Sequence, residues 1–216
     1  DMAIKKNWKY YLDETEQEPE VQIELAKIRE ESKNLKPKDI KIIDPAMGSG
    51  HILVYAFEIL MQIYTSVGYS EREATVSILE NNLYGLDIDD RAYQLAYFTV
   101  MMKARSYNRN IFIKNIEPQI CPIQESKGIS DELIDFMIDN GVNINDILYL
   151  REIFTFAKEY GSILNLNPLN FNSILDALNK IKDTKYADFE SIKYQKEALN
   201  KIYPILKQAI ILSSNY

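Results

Sequence analysis

Apolar residues along the chain recur first at alternating helix and strand spacings, and later at helical spacing alone. In residues 18–33, Val21, Leu25 and Ile28 fall at i, i+4 and i+7 and Pro19 suits a first turn. This predicts an amphipathic helix, ended by Lys36-Pro37-Lys38. Ile40, Ile42 and Ile43 form a β-branched run that predicts a buried strand, stopped at Asp44-Pro45. Gly48-Ser49-Gly50 follows. Beyond it Leu53, Phe57, Leu60 or Met61, and Tyr64 share one face of a long helix closed by Gly68. A second strand is expected over Leu83–Ile88. Asp89 can cap the next helix, whose buried stripe is expected at Leu95, Phe98 and Met102. A third strand is expected around Ile120-Cys121-Pro122-Ile123, where Pro122 restricts it to an edge or irregular strand and its place last in the series suits an edge.

Strand-helix-strand-helix-strand predicts an α/β fold with a parallel sheet and crossover helices. The remainder is helical in pattern. Residues 130–160 read as two helices broken at Asn140-Gly141, with Ile147, Leu150, Phe154 and Ala157 on one face of the second. Residues 171–182 and 190–212 read as helices too, the last kinked or split at Pro204. The expected division is a helical lead-in over 1–37, a nucleotide-type α/β unit over 38–126, and a mostly helical extension over 127–216. No internal repeat interrupts it.

Composition narrows the partners. Apolar residues make up 46% of the 216 positions, enough for a packed core. No apolar run reaches the roughly 18 residues that span a bilayer, and the first residues lack a signal-like stretch. One cysteine, Cys121, excludes an internal disulfide framework and fits a cytoplasmic setting. Lys and Arg number 25 against 32 Asp and Glu, a net charge of −7. Duplex-binding surfaces are normally basic, so any grip on DNA is expected from other regions of a parent protein.

The chemistry concentrates between the first two strands. Gly48 and Gly50 let the backbone approach a ligand closely, and the helix from His51 offers unpaired N–H groups to a negative group. Asp44, at the end of the first strand, suits an amino cation. Asp87, at the end of the second, can accept from both ribose hydroxyls, and Ile88 can lie against an adenine face. An amino acid at one end and an adenosine at the other describes S-adenosylmethionine. A lone Gly-x-Gly is weak evidence, and a dinucleotide-binding oxidoreductase would share the loop and the acid. Its third glycine is absent, however, because Leu53 stands three residues after Gly50.

These stretches resemble a known family. Asp44-Pro45-Ala46-Met47-Gly48-Ser49-Gly50-His51-Ile52-Leu53 is similar to the first motif of the adenine-N6 DNA methyltransferases. Asn81-Asn82-Leu83-Tyr84-Gly85-Leu86-Asp87-Ile88-Asp89 is similar to their second. The segments 48–57, 87–96, 123–126 and 157–164 further resemble the PglX-type enzymes of phage-defence (BREX) systems and single-chain restriction-modification methylases. The resemblance implies a Rossmann-like fold and methyl transfer from S-adenosylmethionine to adenine N6. It further implies a cofactor site built from Asp44, Pro45, Ala46, Gly48, Ser49, Gly50, Asp87, Ile88 and Glu125, the last on the cofactor adenine.

The sequence also departs from that family. Its catalytic (D/N/S)-P-P-(Y/F/W) tetrapeptide is absent. The nearest likeness, Asn167-Pro168-Leu169-Asn170, reads as a turn entering the helix at 171. The expectation is therefore an excised piece ending at the catalytic segment, inactive alone and binding the cofactor weakly or not at all, partly because its first strand would lack a neighbour. A parent protein that kept the fold as a non-catalytic scaffold is the alternative, ahead of the oxidoreductase. Defence-system or restriction subunits are the expected partners besides DNA. The lone His51 reads as structural, Asp89 and Asp90 as cap and solvated surface rather than metal ligands, and most of the 15 tyrosines as core or rim.

Overall fold

In the computed structural model, residues 15–32, 34–114, 116–164, 166–167 and 169–213 are described. Helix α1 (Pro19–Ser32) precedes strand β1 (Ile42–Asp44), and helices α2 (His51–Ser66) and α3 (Glu71–Ser77) lead to strand β2 (Leu83–Asp87). Helix α4 (Asp90–Tyr107) leads to β3 (Gln119–Pro122). The strands form a parallel sheet in the order β1-β2-β3. Pro122 thus sits on an edge strand, where a missing N–H costs no ladder bond. The described elements after it are all helical: α5 (Asp131–Asp139), α6 (Ile144–Ile153), α7 (Ala157–Tyr160), α8 (Phe171–Asp183), α9 (Phe189–Glu197) and α10 (Tyr203–Ser213), with short tight turns between. The fold is therefore α/β with a small sheet and mostly helical content.

The chain divides into two compact units that interleave along the sequence. One comprises residues 1–43, 51–84 and 98–119. In it α2 buries Leu53, Phe57, Leu60, Met61 and Tyr64, the face expected from spacing. Phe57 stacks on Tyr107 with centroids 5.9 Å apart. The Tyr64 hydroxyl donates to Asn82 Oδ1 at 2.9 Å, and the Asn82 amide donates to the carbonyls of Pro37 and Ile40, both at 2.7 Å. Asn82 has no exposed surface, so this full set of partners is what makes its burial tolerable.

The second unit comprises residues 44–50, 85–97 and 120–216. Ile147, Leu150, Phe154 and Ala157 are all buried, as expected, but not on one helix: α6 ends at Ile153 and Ala157 opens α7. Gly141 turns the chain between α5 and α6 at φ +97°, and Asn170 caps α8 by accepting from the Ser173 N–H at 3.3 Å. The final helical stretch is interrupted by a π-helical turn at Ala198–Ile202, just ahead of Pro204. A proline at 204 cannot donate to the carbonyl of Asn200 and crowds it, and the widened turn absorbs that conflict.

Two expectations need correction. In α4, Leu95, Phe98 and Met102 are exposed, Phe98 at 61%, whereas Ala96, Val100, Met101 and Ala104 are buried. The helix is apolar on more than one side, and its smallest residues mark the inner face. In α1, Val21 and Ile28 are exposed, so the helix forms where expected but does not bury its apolar stripe.

Candidate functional site

The carboxyl ends of the strands and the loops after them fall together in the second unit. Asp44 closes β1 and is 6% exposed. Its Oδ1 accepts from the Ala46 N–H at 3.2 Å, an Asx turn that bends the chain straight out of the strand. Its Oδ2 is buried with no hydrogen-bond partner. A buried carboxylate oxygen left so is costly unless something else binds there.

The loop after Asp44 is tied to the neighbouring strand. Met47 donates its N–H to the Leu86 carbonyl at 3.0 Å, and Gly48 donates to Asp87 Oδ2 at 2.8 Å. The other oxygen, Oδ1, accepts from the Asp89 N–H at 2.9 Å. A carboxylate has about four lone-pair sites. Asp87 thus keeps acceptor capacity on both oxygens for a diol while its orientation is fixed by two backbone donors.

The two glycines differ in role. Gly50, at φ +80°, packs so closely that an added Cβ would lie 3.0 Å from the Ala96 Cα. Gly48, at φ +53°, has open space where a Cβ would stand. One glycine seats the loop on α4. The other leaves a gap beside Asp87.

Ile88 is 52% exposed, and the place of a Gly161 Cβ is 3.7 Å from its Cγ2. Glu125 is half-buried and ion-paired with Lys127 at 3.3 Å. Pro45 is exposed, Ala46 is exposed, and Ser49 is half-buried beside Gly48. Asp89, as expected, caps α4 by accepting from the Arg91 N–H at 2.8 Å.

Some of the framework was not anticipated. The Ile123 N–H donates to the Asp87 carbonyl at 2.7 Å, fixing β3 beside β2. Gln208, with no exposed surface, accepts from the Gln124 N–H at 2.7 Å and donates to its carbonyl at 2.8 Å. Asp90 accepts from the Gln124 side chain at 2.9 Å and from Lys158 at 3.3 Å. A glutamine inside the apolar run Ile205–Leu212 was the available signal. Its partner, 84 residues away, was not readable. No group of three or more His, Cys, Asp or Glu positioned for a metal occurs among the described residues.

The model of the MmeI DNA-methyltransferase domain matches residues 14–133, and so includes the glycine loop, Asp87 and Glu125. The chain belongs to this DNA-methyltransferase domain family. It is similar to the adenine-specific methyltransferase PglX of Lacticaseibacillus casei, 41% identical over 86% of this chain and 15% of that protein. It is also similar to the adenine-specific methyltransferase BrxX of Escherichia coli O9:H4, 34% identical over the whole chain and 19% of that protein. A putative type II restriction enzyme and methyltransferase of Methanocaldococcus jannaschii is 38% identical over 43% of the chain and 9% of that protein. The chain thus spans less than a fifth of the length of each of these relatives. No described helix of this methyltransferase-domain chain is long and apolar enough to cross a membrane.

Proposed function

We propose that this chain carries the S-adenosylmethionine site of an adenine-specific DNA methyltransferase with a Rossmann-like fold, acting in restriction-modification or phage defence in the cytoplasm. The observation that carries the proposal is the unpartnered, buried Oδ2 of Asp44 beside a loop whose Gly48 N–H is locked onto Asp87. An amino cation is the group that relieves such an oxygen, because the pair is then both charged and hydrogen-bonded.

In this reading Asp44 holds the amino group of the cofactor's methionine end, with Pro45, Ala46, Ser49 and Gly50 shaping the bend. Gly48 leaves the gap that admits that end. Asp87 accepts from the ribose hydroxyls, Ile88 lies against the adenine, and Glu125 stands at its edge. When bound, S-adenosylmethionine supplies an activated methyl group on a sulfonium centre. The protein's part in this segment is to bind and orient, and positioning of reactants is a large share of such catalysis. DNA is held by other regions of the parent protein, in keeping with a net charge of −7 here. The segment alone turns nothing over, because a (D/N/S)-P-P-(Y/F/W) tetrapeptide does not occur in its 216 residues.

The test is calorimetric titration of the full-length protein with S-adenosylhomocysteine. Binding that Asp44→Asn and Asp87→Ala each weaken by about tenfold or more is expected, since hydrogen bonds to charged groups contribute about 1.5–3 kcal/mol. Undiminished binding by both variants would overturn the assignment.

A further inference from the structure

The second unit holds a cavity of about 580 Å³ whose walls include Tyr149, Glu152, Phe156, Tyr160 and Ile163. Tyr160 and Ile163 belong to the segment 157–164 singled out in the sequence, whereas Tyr149, Glu152 and Phe156 were not singled out. One feature of the structure connects it to the end of β2, a second connects it to Glu125 after β3, and a third concerns its aromatic walls.

The backbone at Gly161 has φ 59° and ψ −135°, a conformation essentially confined to glycine. That strained point is where the segment comes up to Ile88, with a Gly161 Cβ position 3.7 Å from Ile88 Cγ2. Next, Lys127 bridges Glu125 and the cavity wall: its ammonium pairs with Glu125 at 3.3 Å and lies 4.5 Å from the Phe156 ring centroid. Glu125 is thereby engaged by a cation, whereas no ion pair of Glu152 is recorded among the described residues. Finally, the two rings are unusually bare: Phe156 remains 46% exposed and Tyr160 54% exposed.

We infer that this cavity receives the adenine ring of the cofactor, with Phe156 and Tyr160 as its aromatic walls and Glu152 accepting from the exocyclic amine. The inference rests on the S-adenosylmethionine reading above and moves the base-recognising carboxylate from Glu125 to Glu152. The helical segment after β3 then sets cofactor specificity. Aromatic surfaces with a single carboxylate match a purine that has a π-face and one amino edge, and a carboxylate repels the carbonyl of a hypoxanthine at the same place.

The experiment is titration of the full-length protein with S-adenosylhomocysteine and with S-inosylhomocysteine. Wild type is expected to favour the adenosyl compound by about tenfold or more. Glu152→Gln is expected to narrow that preference, and by more than Glu125→Gln does. Phe156→Ala and Tyr160→Ala are expected to weaken both compounds about tenfold, with Tyr160→Phe restoring affinity. Both rings are exposed, and thermal unfolding midpoints confirm that the variants fold. Affinity lost in Asp87→Ala but unmoved in the Glu152, Phe156 and Tyr160 variants would overturn this inference and leave the cofactor reading standing. The same holds if those variants weaken only the binding of single-stranded DNA. Failure of wild type to bind either compound would sink both.

Discussion

Gly48 donates its backbone N–H to Asp87 Oδ2 at 2.8 Å, so the loop leaving one strand is fastened to the side chain that ends the next. Because the Asp89 N–H holds the other oxygen, the Asp87 carboxylate ties together the backbone of the glycine loop and that of the turn after β2. Asp87→Ala is expected to lower stability by about 1.5–3 kcal/mol, the scale of hydrogen bonds to a charged group. Chemical denaturation checks this, and an unchanged midpoint would show that the loop needs no such anchor.

Gly50→Ala and Gly48→Ala should separate folding from binding. At Gly50 the new methyl meets Ala96 backbone at 3.0 Å in a left-handed conformation, for a cost of about 2–4 kcal/mol. At Gly48 the backbone penalty of about 1–2 kcal/mol stands alone, because the space is open. The Gly48 variant is expected to fold and to lose affinity for S-adenosylhomocysteine. Equal stability losses in the two would contradict this division.

Asp44→Asn replaces a buried anionic oxygen that has no partner by a neutral group of the same shape. The substituted protein is expected to unfold at the same or higher denaturant concentration while binding cofactor less well. A large loss of stability would mean that Oδ2 is already satisfied in solution.

Gln208→Leu leaves the N–H and carbonyl of Gln124 without their partner. The expected cost is on the order of 1–3 kcal/mol, the penalty for stranding such groups. Gln208→Glu should also be costly, since it keeps the acceptor but loses the donor. Denaturant midpoints of the two variants check this, and wild-type values in both would show that the pair is replaced by water.

Burial pushes the Cys121 thiol up to about 12, with Lys207 pulling weakly the other way. The folded state therefore favours the neutral thiol. That contribution to stability is complete below the ordinary thiol range near pH 8.5–9 and is lost as pH climbs towards 12. Alkylation at about pH 8 is expected to be slow in the native protein and fast in denaturant. Rapid native labelling would refute the burial.

Much of this was legible in the residues because the informative features are local. The three strands, the glycine loop, Asp87 at a strand end and the cap at Asp89 all follow from short-range spacing. Helix α3 was missed, although Ser70 and Glu73 form a capping box that announces its start. The α4 stripe was misread because Leu95, Phe98 and Met102 and the true inner set share the same period. What decides between them is the closeness of Gly50 to Ala96, which no periodicity contains. The Gln124–Gln208 pair and the bridge from Glu125 through Lys127 to Phe156 are tertiary, and only the fold brings them together.

Asn82 is a single amide on which two carbonyls and one phenol converge. Conversion to aspartate, which changes one heavy atom, would turn both donated bonds into facing oxygens at the root of β2. That one substitution would loosen the segment leading into β1 while leaving every residue of the glycine loop in place.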